Sequence, residues 1–151
     1  FFTKDLANPM RQRLYPLAKV HLPLQKISQF MGLSYASPVG LDIHPHWGLW
    51  FAWRGAWLLK GDFPEILPSP STSPCENCLD RSCLPTCPSG AVGKKFENFN
   101  LKKCLEFRQA SQSPCASDCL SRRGCSYKPE LAYSDEQIHY HMNRSLQMIK
   151  K

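Results

Sequence analysis

The chain has 151 residues, 42% hydrophobic and 21% charged, enough for one domain or slightly more with a modest core and too apolar for a disordered tail. Its net charge of +7 divides into +3 before Cys75 and +4 from Cys75 onward, a diffuse positive surface that suits an acidic protein or RNA without singling out either. The longest apolar stretch, residues 47–59, contains Arg54 and falls far short of the roughly 20 residues that cross a bilayer, which excludes a transmembrane helix.

Thirteen prolines against eight glycines point to short elements joined by many loops. The chain opens on Phe1 with no charged segment leading into an apolar one, so residues 1–46 read as the end of something larger and no targeting signal is legible. Residues 24–31 predict a short amphipathic helix through Leu24, Ile27 and Phe30. Ser37-Pro38-Val39-Gly40 and His44-Pro45-His46 are turn signals. Residues 47–59, with four tryptophans, read as a buried strand or a strand running into a helix, and Arg54 within it would need Asp42, Asp62 or an anion as partner. The Pro/Ser-rich residues 67–74 mark a boundary between an N-terminal subdomain, 1–71, and a cysteine-rich domain, 72–151.

Helices are expected at 101–110 and 116–122, and a longer one begins at Ser134. There Gln137 completes a capping pattern, Asp135 and Glu136 occupy the first turn, and Ile138, Met142, Leu146 and Ile149 fall on one face. His139 and His141 lie on this helix two residues apart and point to different faces, so they read as surface residues. His44 and His46 read as loop residues within reach of a substrate or cluster edge. The fold class expected is α+β: a small N-terminal subdomain, a lobe of turns and short helices, and a C-terminal docking helix.

All eight cysteines fall between Cys75 and Cys125, a local gathering that leans toward metal rather than toward a disulfide framework. The first run reads C-x2-C-x4-C-x3-C-P, through Cys75, Cys78, Cys83 and Cys87-Pro88. An iron–sulfur cubane needs four thiolates, and a tight loop supplies several of them together with backbone N–H groups that offset the negative charge. Structural zinc also uses four cysteines, but usually as two close pairs, and only Cys75/Cys78 has the two-residue spacing. Four disulfides are the remaining arithmetic option.

The run from Cys83 to Val92, with Cys-Pro-Ser-Gly-Ala-Val, resembles the ferredoxin-type 4Fe–4S signature. Lys103-Cys104-Leu-Glu-Phe-Arg resembles the isolated cysteine in the ferredoxin-like region of epoxyqueuosine reductases, and Cys115-x3-Cys119-x5-Cys125 takes the place of that family's closing motif, with Ser126 where the family has proline. Residues 37–59, with Gly40, His44-Pro45, Gly48 and Arg54-Gly55-Ala56, also resemble uncharacterised bacterial proteins that carry such a module. The resemblance implies a ferredoxin-like lobe with two 4Fe–4S clusters, one cluster being the minimum. Cys75, Cys78, Cys83 and Cys125 would hold the first, and Cys87, Cys104, Cys115 and Cys119 the second.

A phosphate loop, a nucleophile elbow and paired carboxylates are all missing from the sequence, which favours an electron carrier over a complete enzyme. The leading expectation is an iron–sulfur electron-transfer protein with an acidic redox partner, set in the cytoplasm because exposed cubanes degrade in oxygen. A second is the C-terminal part of an epoxyqueuosine-reductase-like enzyme acting on RNA, with a cobalamin-binding portion upstream. A third is a zinc-stabilised module that touches nucleic acid through Lys94, Lys95, Lys102, Lys103, Arg122 and Arg123.

Overall fold

A computed structural model describes residues 11–16, 22–62, 72–95 and 98–149. Among the described residues the architecture is mixed α and β, with two small antiparallel sheets and four helices. Strand β1 (Arg11–Tyr15) pairs with β4 (Ala56–Leu59), placing Arg11 opposite Leu59, with an irregularity between Arg13 and Tyr15. Strands β2 (Tyr35–Ala36) and β3 (Asp42–Ile43) form a hairpin. The turn signal at Ser37 closes it: the Ser37 N–H and hydroxyl both donate to the Leu41 carbonyl, at 3.2 and 2.6 Å. Gly40 in that turn has φ +77°, and a Cβ there would stand 2.6 Å from the Phe99 ring, so the position demands glycine twice over.

Helix α1 (Leu24–Phe30) lies where the periodicity placed a helix, but a different face docks. Phe30 is 93% exposed and Ile27 is exposed too, whereas Ser28 is buried. A polar chain explains the inversion. Ser28 and Ser34 share a 2.6 Å hydroxyl contact, Ser34 donates to Asp42 Oδ2 at 2.7 Å, and Gln29 donates to Asp42 Oδ1 at 2.6 Å. A buried carboxylate must be hydrogen-bonded, and here its needs orient the helix.

Residues 47–59 do not form the buried strand expected of them. Only Ala56–Leu59 is strand, and Trp47, Trp57, Leu58 and Leu59 are exposed. From this run only Gly48, Leu49 and Trp50 are buried. Gly48, with φ +57°, bends the chain where the turn at His44 closes, and the His44 and Gly48 backbones exchange hydrogen bonds at 2.9 and 2.8 Å. Arg54 is exposed and needs no buried counter-ion.

The core is Val39, Ile43 and Leu49, with Tyr35, Tyr127, Cys75, Cys83, Cys119 and Cys125 packed against it. Residues 39–49 and the cysteine segment therefore share one apolar centre. Residues 63–71, including most of the proline-rich connector, lie outside the described residues.

In the cysteine segment, α2 (Leu101–Gln109) starts at Asn100, whose side chain accepts the Lys103 N–H at 3.0 Å. Helix α3 (Leu120–Arg123) begins later than the sequence indicates, because Cys119 is extended and donates its N–H to Asp118 Oδ1 at 2.6 Å. Helix α4 (Asp135–Ile149) begins as expected, the Ser134 hydroxyl accepting from Gln137 N–H at 3.2 Å, and it buries Ile138. Among the described residues no helix is long and apolar enough to cross a membrane.

Candidate functional site

All eight cysteines are free thiols. They sort into two cavities. Cys75, Cys78, Cys83 and Cys125 line one of about 560 Å³, walled on its apolar side by Tyr35, Ile43 and Tyr127. Cys87, Cys104, Cys115 and Cys119 line another of about 250 Å³ against Val39 and Phe99. No cysteine lines both, and these are the two quartets that the sequence resemblance implies.

The chain makes this division by turning sharply within the first run. Ser73 accepts the Cys75 N–H on its hydroxyl at 3.3 Å, and its carbonyl takes the Glu76 N–H at 2.9 Å, starting the loop. Arg81 then adopts φ 47° and donates its N–H to Cys78 Sγ at 3.4 Å. A further turn, Leu84 N–H to the Arg81 carbonyl at 3.0 Å, carries the chain on from Cys83. Cys87 consequently enters the other cavity although it follows Cys83 so closely. Pro88 ends that turn, and Gly90, at φ +62°, reverses the backbone.

The reversal gives Cys87 a distinct environment. Burial alone would raise its pKa, but the Ser89 hydroxyl and the backbone N–H groups of Val92, Ala91 and Ser89 outweigh burial and hold the thiol below its ordinary value. Backbone N–H groups converging on one sulfur form an anion nest. The other resolved thiols go the opposite way. Burial pushes Cys75 up to about 11, aided by Cys125, Cys83 and Cys78, while the Ser73 hydroxyl opposes. Burial likewise raises Cys83, and then Cys125 and Cys78 add to it. Cys125 rises by burial, with Cys78 and Asp80 contributing against a Tyr127 backbone hydrogen bond.

In the second quartet burial takes Cys119 to about 11, with Cys115 and Cys104 adding to it against the Arg122 backbone N–H. Cys104 and Cys115 rise chiefly by burial, and each also feels Cys87. Wherever another cysteine acts on one of these thiols, it belongs to the same quartet. Four thiols held together against this mutual cost are relieved by a cationic centre, which binds the thiolates and expels their protons.

Two guanidiniums border the second cavity. Arg108 is buried on α2, donating to the Cys115 carbonyl at 3.2 Å, the Met142 carbonyl at 3.0 Å and the Ser145 hydroxyl at 3.3 Å. Arg122 donates to the Leu49 carbonyl from Nε at 3.1 Å and Nη2 at 2.5 Å. Its guanidinium carbon lies 4.4 Å from the Trp50 ring centroid and 5.1 Å from that of Tyr133. Burial lowers its pKa, opposed by Tyr133 and Cys119. Neither arginine forms an ion pair with a carboxylate among the described residues. Arg108 is buried and Arg122 half-buried, and such cations are normally paired, so the cavity they border is suited to negative charge.

Sequence reasoning missed Arg108 and gave Arg122 a nucleic-acid contact under the zinc-module alternative, whereas Arg122 is half-buried and committed to Leu49. A signal for Arg108 was present: it stands one helical turn beyond Cys104 on α2, on the same face. Lys94 and Lys95 line the first cavity, Lys102 and Lys103 are exposed, and Arg123 pairs with Asp118 at 2.6 Å and Asp135 at 2.7 Å. His139 is exposed, while His141 is half-buried with its ring 6.0 Å from Tyr133. His44 Nδ1 accepts the N–H groups of His46 and Trp47, at 2.9 and 3.3 Å, which accounts for that histidine as a turn cap.

Among the described residues no three or more His, Cys, Asp or Glu side chains are arranged to hold a single metal ion. Comparison with protein-family models, curated proteins and solved structures finds no match to the chain.

Proposed function

We propose that the chain is an iron–sulfur electron-transfer protein or module carrying two 4Fe–4S clusters, the first on Cys75, Cys78, Cys83 and Cys125 and the second on Cys87, Cys104, Cys115 and Cys119. The observation that carries this reading is the sorting of eight cysteines into two cavities, four to each and none shared. The donor chemistry fits the group. A cubane carries its metals at the corners of a bulky core and so takes thiolates from around a cavity. Zinc draws four ligands to one point, whereas these thiols stand around cavities of about 560 and 250 Å³. The Cys87 nest and the unpaired cations Arg108 and Arg122 supply what an anionic core requires of its surroundings.

When bound, the clusters accept and release single electrons. The protein's share is to hold the thiolates, to compensate charge with N–H groups and guanidiniums, and to keep water from the apolar wall formed by Val39, Ile43 and Leu49. Such work requires no acid–base residue. The excess positive charge and Lys94 and Lys95 beside the first cavity suit an acidic redox partner.

Anaerobic purification followed by iron, sulfide and zinc analysis tests the reading. About eight irons per chain and reducible EPR signals are expected. A colourless protein with stoichiometric zinc overturns it.

A further inference from the structure

The two cysteine cavities meet the surface through unlike rims. The exposed residues lining the second are Leu41, Pro88 and Leu101, none of them charged. The first is bordered by three exposed cations, Arg81, Lys94 and Lys95, against one exposed carboxylate, Glu76. Arg81 Nη1 donates to the Lys94 carbonyl at 3.4 Å, which brings the two cationic segments together on that rim. None of the three cations forms an ion pair among the described residues. Cys78 also lines an open cleft of about 790 Å³, whose apolar lining is Pro45, Pro74, Leu79 and Tyr127 and whose one charged residue is Asp80. Leu79 is 99% exposed. One thiol of the first quartet therefore borders both a cationic rim and an apolar seat open to solvent.

We propose, on the strength of the two-cluster reading, that this surface docks an acidic one-electron redox protein, so that the first quartet is the port and the second is filled and emptied through it. Arg81, Lys94 and Lys95 steer and orient an acidic surface from a distance, and their like is missing from the rim of the second cavity. Leu79 and the cleft beside Cys78 supply the short-range apolar contact. A polynucleotide would use the cations but leave Leu79 without a partner, which favours a protein. One electron leaves the reduced partner, is taken up at the first quartet and passes to the second. No bond is made or broken, and no proton moves.

Rapid-freeze EPR of the fully reduced chain tests the assignment. The chain is mixed anaerobically with an anionic oxidant, tris(oxalato)cobaltate(III), or a cationic one, tris(ethylenediamine)cobalt(III). The anion should discharge the first quartet's signal ahead of the second's. Lys94→Gln combined with Lys95→Gln should slow the anion about tenfold and quicken the cation, and about 0.5 M salt should erase the difference. Arg81 is left in place because its backbone is left-handed and its side chain ties the loop to residue 94. Calorimetric titration supplies a readout without electron flow. Flavodoxin, as the acidic protein probe, should bind, and Leu79→Ser should weaken it several-fold at unchanged iron content. Loss of the second signal first, equal effects of the lysine pair on both oxidants, no binding of flavodoxin, or tighter binding of oligouridylate than of flavodoxin would overturn the proposal. Iron analysis of the same samples separates the two readings. A colourless protein overturns the clusters, whereas a brown one whose second signal discharges first overturns the port alone.

Discussion

The Ser121 hydroxyl donates to the Cys83 carbonyl at 2.6 Å, across 38 residues of chain. Ser121 is buried and follows Cys119 of one quartet, while Cys83 belongs to the other. The Ser82 hydroxyl reciprocates by donating to the Gly124 carbonyl. A Cβ at Gly124 would stand 2.3 Å from Thr86 Oγ1, so the first cysteine loop sits tightly against the C-terminal end of α3. Ser121→Ala leaves the Cys83 carbonyl short of a buried partner and should cost about 1–3 kcal/mol of stability. Urea denaturation of the iron-free chain reads the loss, and a change indistinguishable from zero would show that the bond is not maintained in solution.

Cysteine substitutions should divide the iron into halves. Cys78→Ser is expected to lose about four irons while the second quartet keeps its own, and Cys104→Ser the converse. Cys75→Ala should act like Cys78→Ser and soften the loop it begins. The two EPR signals should disappear one per variant. Full iron content in Cys75→Ala would contradict the assignment of that ligand.

The iron-free chain should be sensitive to alkali. Burial raises Cys75 and Cys119 from the ordinary 9.0 to about 11 or about 11 respectively, so between these values the folded state keeps protons that the unfolded state has lost. Stability then falls as pH rises through that window and is complete below it. Urea midpoints should hold level up to about pH 9 and decline toward about pH 11; a rise over that interval reverses the sign and refutes the assignment. Cys87, held below its ordinary value, should be the first thiol alkylated by iodoacetamide as pH is raised from neutrality.

Arg108→Gln removes a cation beside the second quartet only. In the iron-loaded protein the second cluster's potential should become more negative while that of the first stays put. Redox titration monitored by EPR distinguishes the two. Because Arg108 also joins α2 to the Met142 carbonyl on α4, the variant should lose about 2–3 kcal/mol of stability as well, and Arg108→Lys should restore the potential more fully than the stability.

Some of this was legible in the sequence. The α4 start was, because capping at Ser134 is a local affair of a hydroxyl and a nearby N–H. The extent of α2 was nearly so, since Asn100 caps it in the same way. Residues 47–59 were misread because apolar content does not say which side chains find a wall: Leu49 meets the core while Leu58 and Leu59 are exposed on a two-stranded ribbon. The α1 face was misread for the complementary reason. Docking there follows Asp42, a residue distant in sequence whose carboxylate outranks the aliphatic stripe of Ile27 and Phe30. Arg122 shows a third limit, since a basic residue beside another basic residue looks like surface until Leu49, Trp50 and Tyr133 close around it.

The crossing of the chain between Cys83 and Cys87 bears on biosynthesis. As the polypeptide leaves the ribosome, the first loop emerges with three members of one quartet and one of the other, and neither is whole. The second is completed when Cys119 emerges and the first only with Cys125, so cofactor delivery during translation would meet the two sites in the reverse of their order along the chain.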